Sequence, residues 1–154
     1  MIVDALLALA GSITGNTVTG ANMFASGATV TSPNIVDLSQ ARDIGEGQDL
    51  YARVEITTAY AAGTSVQFQA VVASDTAISQ NVAVVGAGPV LLTANATAAT
   101  RVAFKLNPNL GALGQRYLAI QAVNVGAMSA GAVYADIGME IADYKVYASG
   151  FAVL

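Results

Sequence analysis

The sequence predicts an all-β protein: an antiparallel β-sandwich of the jelly-roll type with an extended N-terminal arm. The first reason is that several short runs alternate apolar and polar side chains, which is the period of a half-buried strand. The second is that Gly-, Asn- and Pro-containing turns separate these runs without the strand–helix rhythm of a parallel sheet. A length of 154 residues suits one domain built from two packed sheets.

Five runs carry the strand pattern. In the first, LYARVEIT at residues 50–57, alternate apolar residues are predicted to face the core, while Arg53 and Glu55 face solvent or a partner. The same alternation occurs in four later runs: SVQFQAVV at 65–72, TRVAFKL at 100–106, RYLAIQAV at 116–123 and AVYADIGMEI at 132–141. Each run is therefore predicted to be a strand with one buried side.

Turn signals lie between these strands. They are AAGTS at 61–65, GAGP at 86–89, NPNLGALGQ at 107–115 and VGAMSAG at 125–131. Pro89 and Pro108 are expected in such breaks, because proline has no N–H to donate to a sheet.

The N-terminal part has a different composition. Residues 11–34 are rich in Gly, Ser, Thr, Asn and Ala, and contain neither a charged residue nor a clear period. This predicts an extended arm or a long loop that another subunit would order. We therefore divide the chain into an arm at residues 1–36 and one sandwich domain at residues 37–154.

Composition and charge exclude several functions. The chain has no Cys and no His, so thiolate chemistry, the usual zinc sites and imidazole catalysis are excluded. The six Lys and Arg residues are scattered and the net charge is −4, which argues against binding to nucleic acid or to an anionic membrane. The apolar run at residues 5–10 is too short to span a bilayer.

The charged stretch from Asp37 to Ile56 has some features of a ligand loop. It contains a G-x-G at residues 45–47, but no phosphate-binding Lys and no following helix. Asp43, Glu46 and Asp49 offer oxygen ligands for calcium, yet the EF-hand spacing is absent. We therefore predict an acidic turn with no cofactor and no metal.

Enzymatic activity is not expected. The ten acidic residues leave room for a chance pair of carboxylates for glycoside hydrolysis, but the chain lacks Trp to stack on sugars. A G-x-S-x-G nucleophile turn is also missing. The composition favours a structural or binding protein.

Two blocks resemble a known family. VDLSQARDIGEGQDLYARVEI at residues 36–56 and QRYLAIQAVNVGAMSAGAVYADI at 115–137 are similar to segments of the Bbp16-like capsid cement proteins of tailed bacteriophages. The ends, MIVDALL and DYKVYASGF, are similar as well. The blocks occur in the same order over most of the chain, although residues 11–34 are longer and richer in Gly, Ala and Thr than the family pattern.

The resemblance implies a cement, or decoration, protein. Such a jelly-roll protein would bind the major capsid protein on the exterior of the head as symmetric homo-oligomers, either homodimers or homotrimers. It would be assembled in the host cytoplasm, become part of the virion and stabilise the shell against the pressure of packaged DNA.

The contact residues are predicted to lie in the arm and in the charged loop. Arg42, Asp43, Glu46 and Arg116 are the candidates for capsid or subunit contacts, because Arg pairs with carboxylates through two hydrogen bonds. The alternative is that they line a solvated rim and contribute little.

Two other functions stay open at this point. One is a β-sandwich surface or fibre module that binds glycans. The other is an enzyme that uses a pair of acidic residues or bound calcium.

Overall fold

The computed structural model describes residues 7–14, 17–39, 49–107 and 114–139. Within these ranges the chain forms twelve β-strands, and a short 3₁₀ turn lies at Thr93–Asn95. The strands are β1 (Ala8–Ala10), β2 (Ser12–Thr14), β3 (Thr17–Thr19), β4 (Ala21–Asn22), β5 (Thr29–Thr31), β6 (Val36–Asp37), β7 (Tyr51–Ala62), β8 (Ser65–Ala73), β9 (Ala83–Leu92), β10 (Arg101–Lys105), β11 (Tyr117–Val125) and β12 (Met128–Gly138).

The strands form two antiparallel sheets and a hairpin. In the first sheet the order is β1-β12-β7-β10, and β4 also pairs with β12. In the second sheet the order is β5-β11-β8-β9, and β6 also pairs with β11. β2 and β3 form the separate hairpin. The predicted antiparallel β-sandwich is confirmed; the narrower jelly-roll assignment stays a prediction, with which these strand orders are compatible.

The core lies between the two sheets. All five runs with the alternating pattern form strands, namely β7, β8, β10, β11 and β12. Their inward side chains are buried, and Val54, Phe68, Ile120 and Val133 are completely inaccessible to solvent. Alternation predicts these faces correctly because successive side chains of a strand point to opposite sides.

One predicted turn is wrong. GAGP at residues 86–89 lies inside β9 instead of between strands. β9 is at the edge of the second sheet, where the missing N–H of Pro89 removes no ladder bond. Gly88 allows β10 to approach closely, since a Cβ there would lie 2.7 Å from Cγ1 of Val102. Pro89 is therefore tolerated because β9 is an edge strand, and Gly88 is favoured because β10 packs closely against it.

The N-terminal segment is more regular than predicted. β2, β3, β4 and β5 lie within residues 11–34, where we expected an arm or a long loop. β4 pairs with β12 and β5 pairs with β11, so the segment extends both sheets of its own chain. Met23 is fully buried in the core. The reason is that backbone hydrogen bonds to long strands order a segment whose side chains carry little pattern. The boundary after residue 36 stays a prediction.

The described ranges contain no helix with the length and the hydropathy of a membrane span.

Candidate functional site

Charged residues are distributed unequally between the two sheets. β5, β8, β9 and β11 of the second sheet contain no Asp, Glu, Lys or Arg. In the first sheet, β7, β10 and β12 carry five charged residues: Arg53, Glu55, Arg101, Lys105 and Asp136. Asp37 of β6, at one end of the sheet, is the one charged residue in the described strands of the second sheet. The sandwich therefore has one outer face with several charges and one that is uncharged across β5, β8, β9 and β11.

The charges of the first sheet pair across neighbouring strands. Nε of Arg101 lies 3.0 Å from Oε2 of Glu55, its direct partner in the β10–β7 register. Lys105, at the end of β10, places Nζ 2.7 Å from Oδ1 of Asp49. Directly opposed opposite charges of this kind stabilise an antiparallel pair modestly.

The third pair on this face is buried. Arg53 and Asp136 are opposite each other in the β7–β12 register and are only 3% and 1% exposed. The prediction that Arg53 faces solvent or a partner is therefore wrong: it faces outward from the core but is covered. Nε donates to Oδ1 of Asp136 at 2.6 Å, and Nη2 donates to Oδ2 at 2.7 Å. Burial is tolerated because each charge has a partner with good geometry.

Two neighbours complete this buried network. The Tyr134 hydroxyl donates to Oδ2 of Asp136 at 3.4 Å. Burial, reinforced by the negative charge of Asp136, raises the pKa of Tyr134. Gly138 makes room for Arg53, since a Cβ at residue 138 would lie 2.6 Å from its Cζ. The network is a structural element of the first sheet.

The outer face of the second sheet has a different chemistry. Its three long strands place side chains in rows, of which one is Val123, Gln67 and Val90 and the next is Gln121, Gln69 and Ala87. Side-chain amides connect neighbouring strands: Gln67 Nε2 donates to O of Gly88 at 2.9 Å, Gln69 Nε2 to Oε1 of Gln121 at 3.0 Å, and Gln121 Nε2 to Oγ1 of Thr31 at 3.1 Å. A hydrogen-bonded amide ladder thus crosses the sheet.

Apolar side chains surround this ladder. Among the described residues, five of the six large apolar side chains that are exposed belong to this sheet or to the residue that leads into it: Val82 (43%), Val84 (55%), Val90 (60%), Leu92 (56%) and Val125 (50%). The sixth, Met139, lies just beyond β12. This concentration makes the outer side of the second sheet the candidate interaction surface.

We call the outward side of β5, β8, β9 and β11 the uncharged face. Sequence analysis did not identify it as a site, although one signal was present: residues 76–100 contain no charged residue. That signal does not show which strands lie beside β9, and the face exists only because β8 and β11 add their own uncharged outer sides.

Of the four predicted contact residues, Arg42, Asp43 and Glu46 lie outside the described residues. Arg116 immediately precedes β11, and its guanidinium forms two hydrogen bonds with the carboxylate of Asp37. The same guanidinium lies 5.2 Å from the centre of the Tyr117 ring. Both members of the ion pair are about half exposed. The role of Arg116 in an interface stays a prediction.

The Arg116–Asp37 pair also changes the acidity of the carboxyl. Its hydrogen bonds from Arg116 lower the pKa of Asp37 from 3.8 to about 2. Every Lys and Arg in the described ranges is likewise in an ion pair. This part of the chain therefore offers no unpaired cation to a phosphate group.

The arrangement of the acidic side chains bears on metal binding. The described part of the chain holds no group of three side chains suited to bind an ion. Asp49, from the stretch considered as a calcium loop, pairs with Lys105. The other two candidate calcium ligands, Asp43 and Glu46, lie outside the described ranges.

The fold and its surfaces define a class: an all-β sandwich protein with an internally paired charged face and an exposed uncharged face. The chain belongs to the Bbp16 family, whose family model matches residues 21–137, well over half of the sequence. The match runs from β4 into β12 and therefore includes strands of both sheets. A comparison with curated proteins found no match.

Proposed function

We propose that this protein is a capsid cement protein of a tailed bacteriophage. It binds the major capsid protein on the exterior of the head as symmetric homo-oligomers, and it stabilises the shell against the pressure of packaged DNA. The observation that carries this proposal is the uncharged face, where apolar side chains such as Val90 and Leu92 are more than half exposed. Apolar side chains gathered on one exposed face of a sheet often mark contact with a partner.

Repeated contacts between an oligomer and the capsid lattice would explain how the protein stabilises the shell. A symmetric oligomer presents the same surface several times, so each bound copy raises the effective concentration of the others. Contacts that are weak singly become strong on a lattice. Each oligomer that bridges neighbouring capsid subunits adds contacts that must break before the shell opens.

The charges support an exterior location. The chain has a net charge of −4, and each described Lys and Arg is already paired with a carboxylate. A surface of this kind does not attract packaged DNA, whose binding needs several available cations. Membership of the Bbp16 family agrees with the proposal.

The test compares phage heads that have this protein with heads from a phage that lacks its gene. Heads without it are expected to release DNA at a lower temperature and after a weaker osmotic shock, as followed by a DNA-binding dye. Adding the purified protein to the deficient heads should restore their stability. Equal stability of the two kinds of head would refute the proposal.

A further inference from the structure

We propose that residues 74–81 form a strap that covers one end of the uncharged face, is latched by Asp75 and opens as a unit. Opening enlarges the apolar surface on that side of the sandwich. This device is separate from the cement role and does not depend on it. Three features support it: an apolar cluster under the strap, the bonds that hold the strap closed, and the backbone conformation of Ile78.

The strap covers a small apolar cluster that is separate from the main core. Val71 and Ala73 of β8 and Ala119 of β11 alternate with core residues and point outward, yet all three are completely buried. Ile78 of the strap packs in the same cluster and is only 6% exposed. A small cluster under a loop of this kind is a satellite of the main core. The strap therefore shields this part of the outer side from solvent.

One carboxylate organises the strap. Oδ1 of Asp75 accepts the backbone N–H of Ser79 at 2.9 Å and that of Gln80 at 2.8 Å, and Oδ2 accepts the Ser79 hydroxyl at 2.8 Å. Two backbone bonds close the same loop: N of Ser74 donates to O of Gln80 at 3.0 Å, and N of Ile78 donates to O of Asp75 at 3.2 Å. Because these bonds share one side chain as their centre, losing it should release the loop as a whole.

The backbone of the strap favours opening. Ile78 has a φ of +52°, in the left-handed region, where a β-branched side chain is strained. Burial of this side chain has to offset that strain whenever the strap closes. The strap is also tied to the protein beyond it, since Nε2 of Gln115 donates to O of Asn81 at 3.1 Å. Most of its other described hydrogen bonds lie within the strap, and such segments can open without global unfolding.

Opening joins the covered cluster to a surface that is already exposed. In the register of the second sheet Ala119 lies beside Val71, and Val71 lies beside Val84 of β9. Val84 is 55% exposed, so the strap leaves this end of the row uncovered. With the strap open, the three side chains form one continuous apolar row. A partner that contacts the whole row binds the open state, and the strap thereby sets the area available to it.

Thiol labelling measures the opening, because the chain has no Cys and a single introduced thiol reports on one position. Ala119→Cys places the thiol under the strap. Ala122→Cys is the matched control, since both residues lie on β11 and are completely buried, but Ala122 belongs to the main core. With dithionitrobenzoate in native buffer, we expect labelling at least about 100-fold faster for Ala119→Cys, because the core thiol reacts only after global unfolding.

Asp75→Ala should accelerate labelling of Ala119→Cys at least about tenfold and leave that of Ala122→Cys unchanged. Asp75→Asn keeps an acceptor oxygen for the two N–H groups and should have a smaller effect. Urea unfolding checks that each variant is folded, and Ala73→Cys, also under the strap, replaces Ala119→Cys if that variant is not. Equal labelling rates for the two thiols, or a rate under the strap that ignores Asp75→Ala, would overturn the inference. Deficient heads of normal stability would refute the cement role alone, because the labelling rates do not depend on it.

Discussion

Arg53 and Asp136 are 83 residues apart in the sequence and form a two-hydrogen-bond ion pair that is buried beneath the outer surface of the first sheet. The pair joins β7 to β12, the two central strands of that sheet. Because both ions are buried, each needs the attraction of the other to offset the cost of its lost hydration. This dependence leads to the first prediction.

Removing one partner should destabilise the fold strongly. Arg53→Met leaves a buried carboxylate, and Asp136→Leu leaves a buried guanidinium, so each should lower the free energy of unfolding by about 3–5 kcal/mol. The double variant should be more stable than either single variant, because no unpaired charge is left. Urea unfolding followed by circular dichroism measures all three.

Arg101→Met is the matched control, because it makes the same change in the partly exposed pair with Glu55. It should cost at most about 1 kcal/mol. If Arg53→Met and Arg101→Met lower the free energy of unfolding equally, burial does not make the Arg53–Asp136 pair more important than the exposed pair.

The second prediction concerns the acidity of Asp37. Its side-chain carboxyl should titrate with a pKa of about 2, because Arg116 donates hydrogen bonds to the ionised form. Folding lowers this pKa, so the pair's contribution to stability is complete above about pH 4 and is lost as the pH falls toward 2. NMR titration of the carboxyl carbon measures it directly.

Arg116→Gln should return the pKa of Asp37 toward 3.8. The carboxyl of Asp75 is the internal control: hydrogen bonds from Gln80 and Ser79 lower its pKa, and Arg116 is not among the causes. A pKa of Asp37 that does not respond to Arg116→Gln would show that the ion pair does not form in solution.

The third prediction concerns the close approach of Gly20 to β7. A Cβ at residue 20 would lie 1.9 Å from Oγ1 of Thr57 and 3.1 Å from N of Val133. Gly20→Ala should therefore destabilise the fold by about 1–3 kcal/mol. In a Thr57→Ala background the loss should be smaller, because the nearest clashing atom is gone. A double-mutant cycle of thermal unfolding measures the difference, and strict additivity would count against this packing.

The fourth prediction concerns the buried phenol of Tyr60. Its hydroxyl donates to the backbone oxygen of Met23 at 3.0 Å, and burial raises its pKa. Tyr60→Phe keeps the ring that packs edge-on against Phe68 and loses one hydrogen bond, so it should cost about 1 kcal/mol at pH 7.

Alkaline pH adds a second signature. A raised folded-state pKa means that the contribution of Tyr60 is complete below pH 10 and is lost as the pH rises further, because only the unfolded chain ionises readily. Stability of wild type should therefore fall more steeply above pH 10 than that of Tyr60→Phe. If the stability of the two proteins falls equally above pH 10, the phenol is accessible to solvent.

Local pattern predicted most of the long strands and missed one. β7 and β8 follow directly from alternation, because side-chain direction within a strand depends on neighbouring residues only. β9 contains Gly86, Gly88 and Pro89, which are turn residues in most contexts. Its edge position and the close approach of β10 make them acceptable, and neither condition can be read from the stretch itself.

The candidate surface was predictable only in part. Arg116 was predicted as the first residue of a strand and lies immediately before β11, but its observed partner, Asp37, was not among the predicted ones. Val84 and Val90 were not predicted at all, although the charge-free stretch around them is visible in the sequence. Whether an outward apolar residue is exposed depends on what covers it, which is decided elsewhere in the chain.

The sequence by itself determined the all-β class, the core-facing sides of five strands and the absence of thiol and imidazole chemistry, since these depend on composition and on a two-residue period. Only the tertiary structure decided that Arg53 is buried and that the second sheet has an uncharged face. Both depend on strand order and register, which join residues far apart in the chain. A local period leaves such pairings undetermined, because it describes each strand without its neighbours.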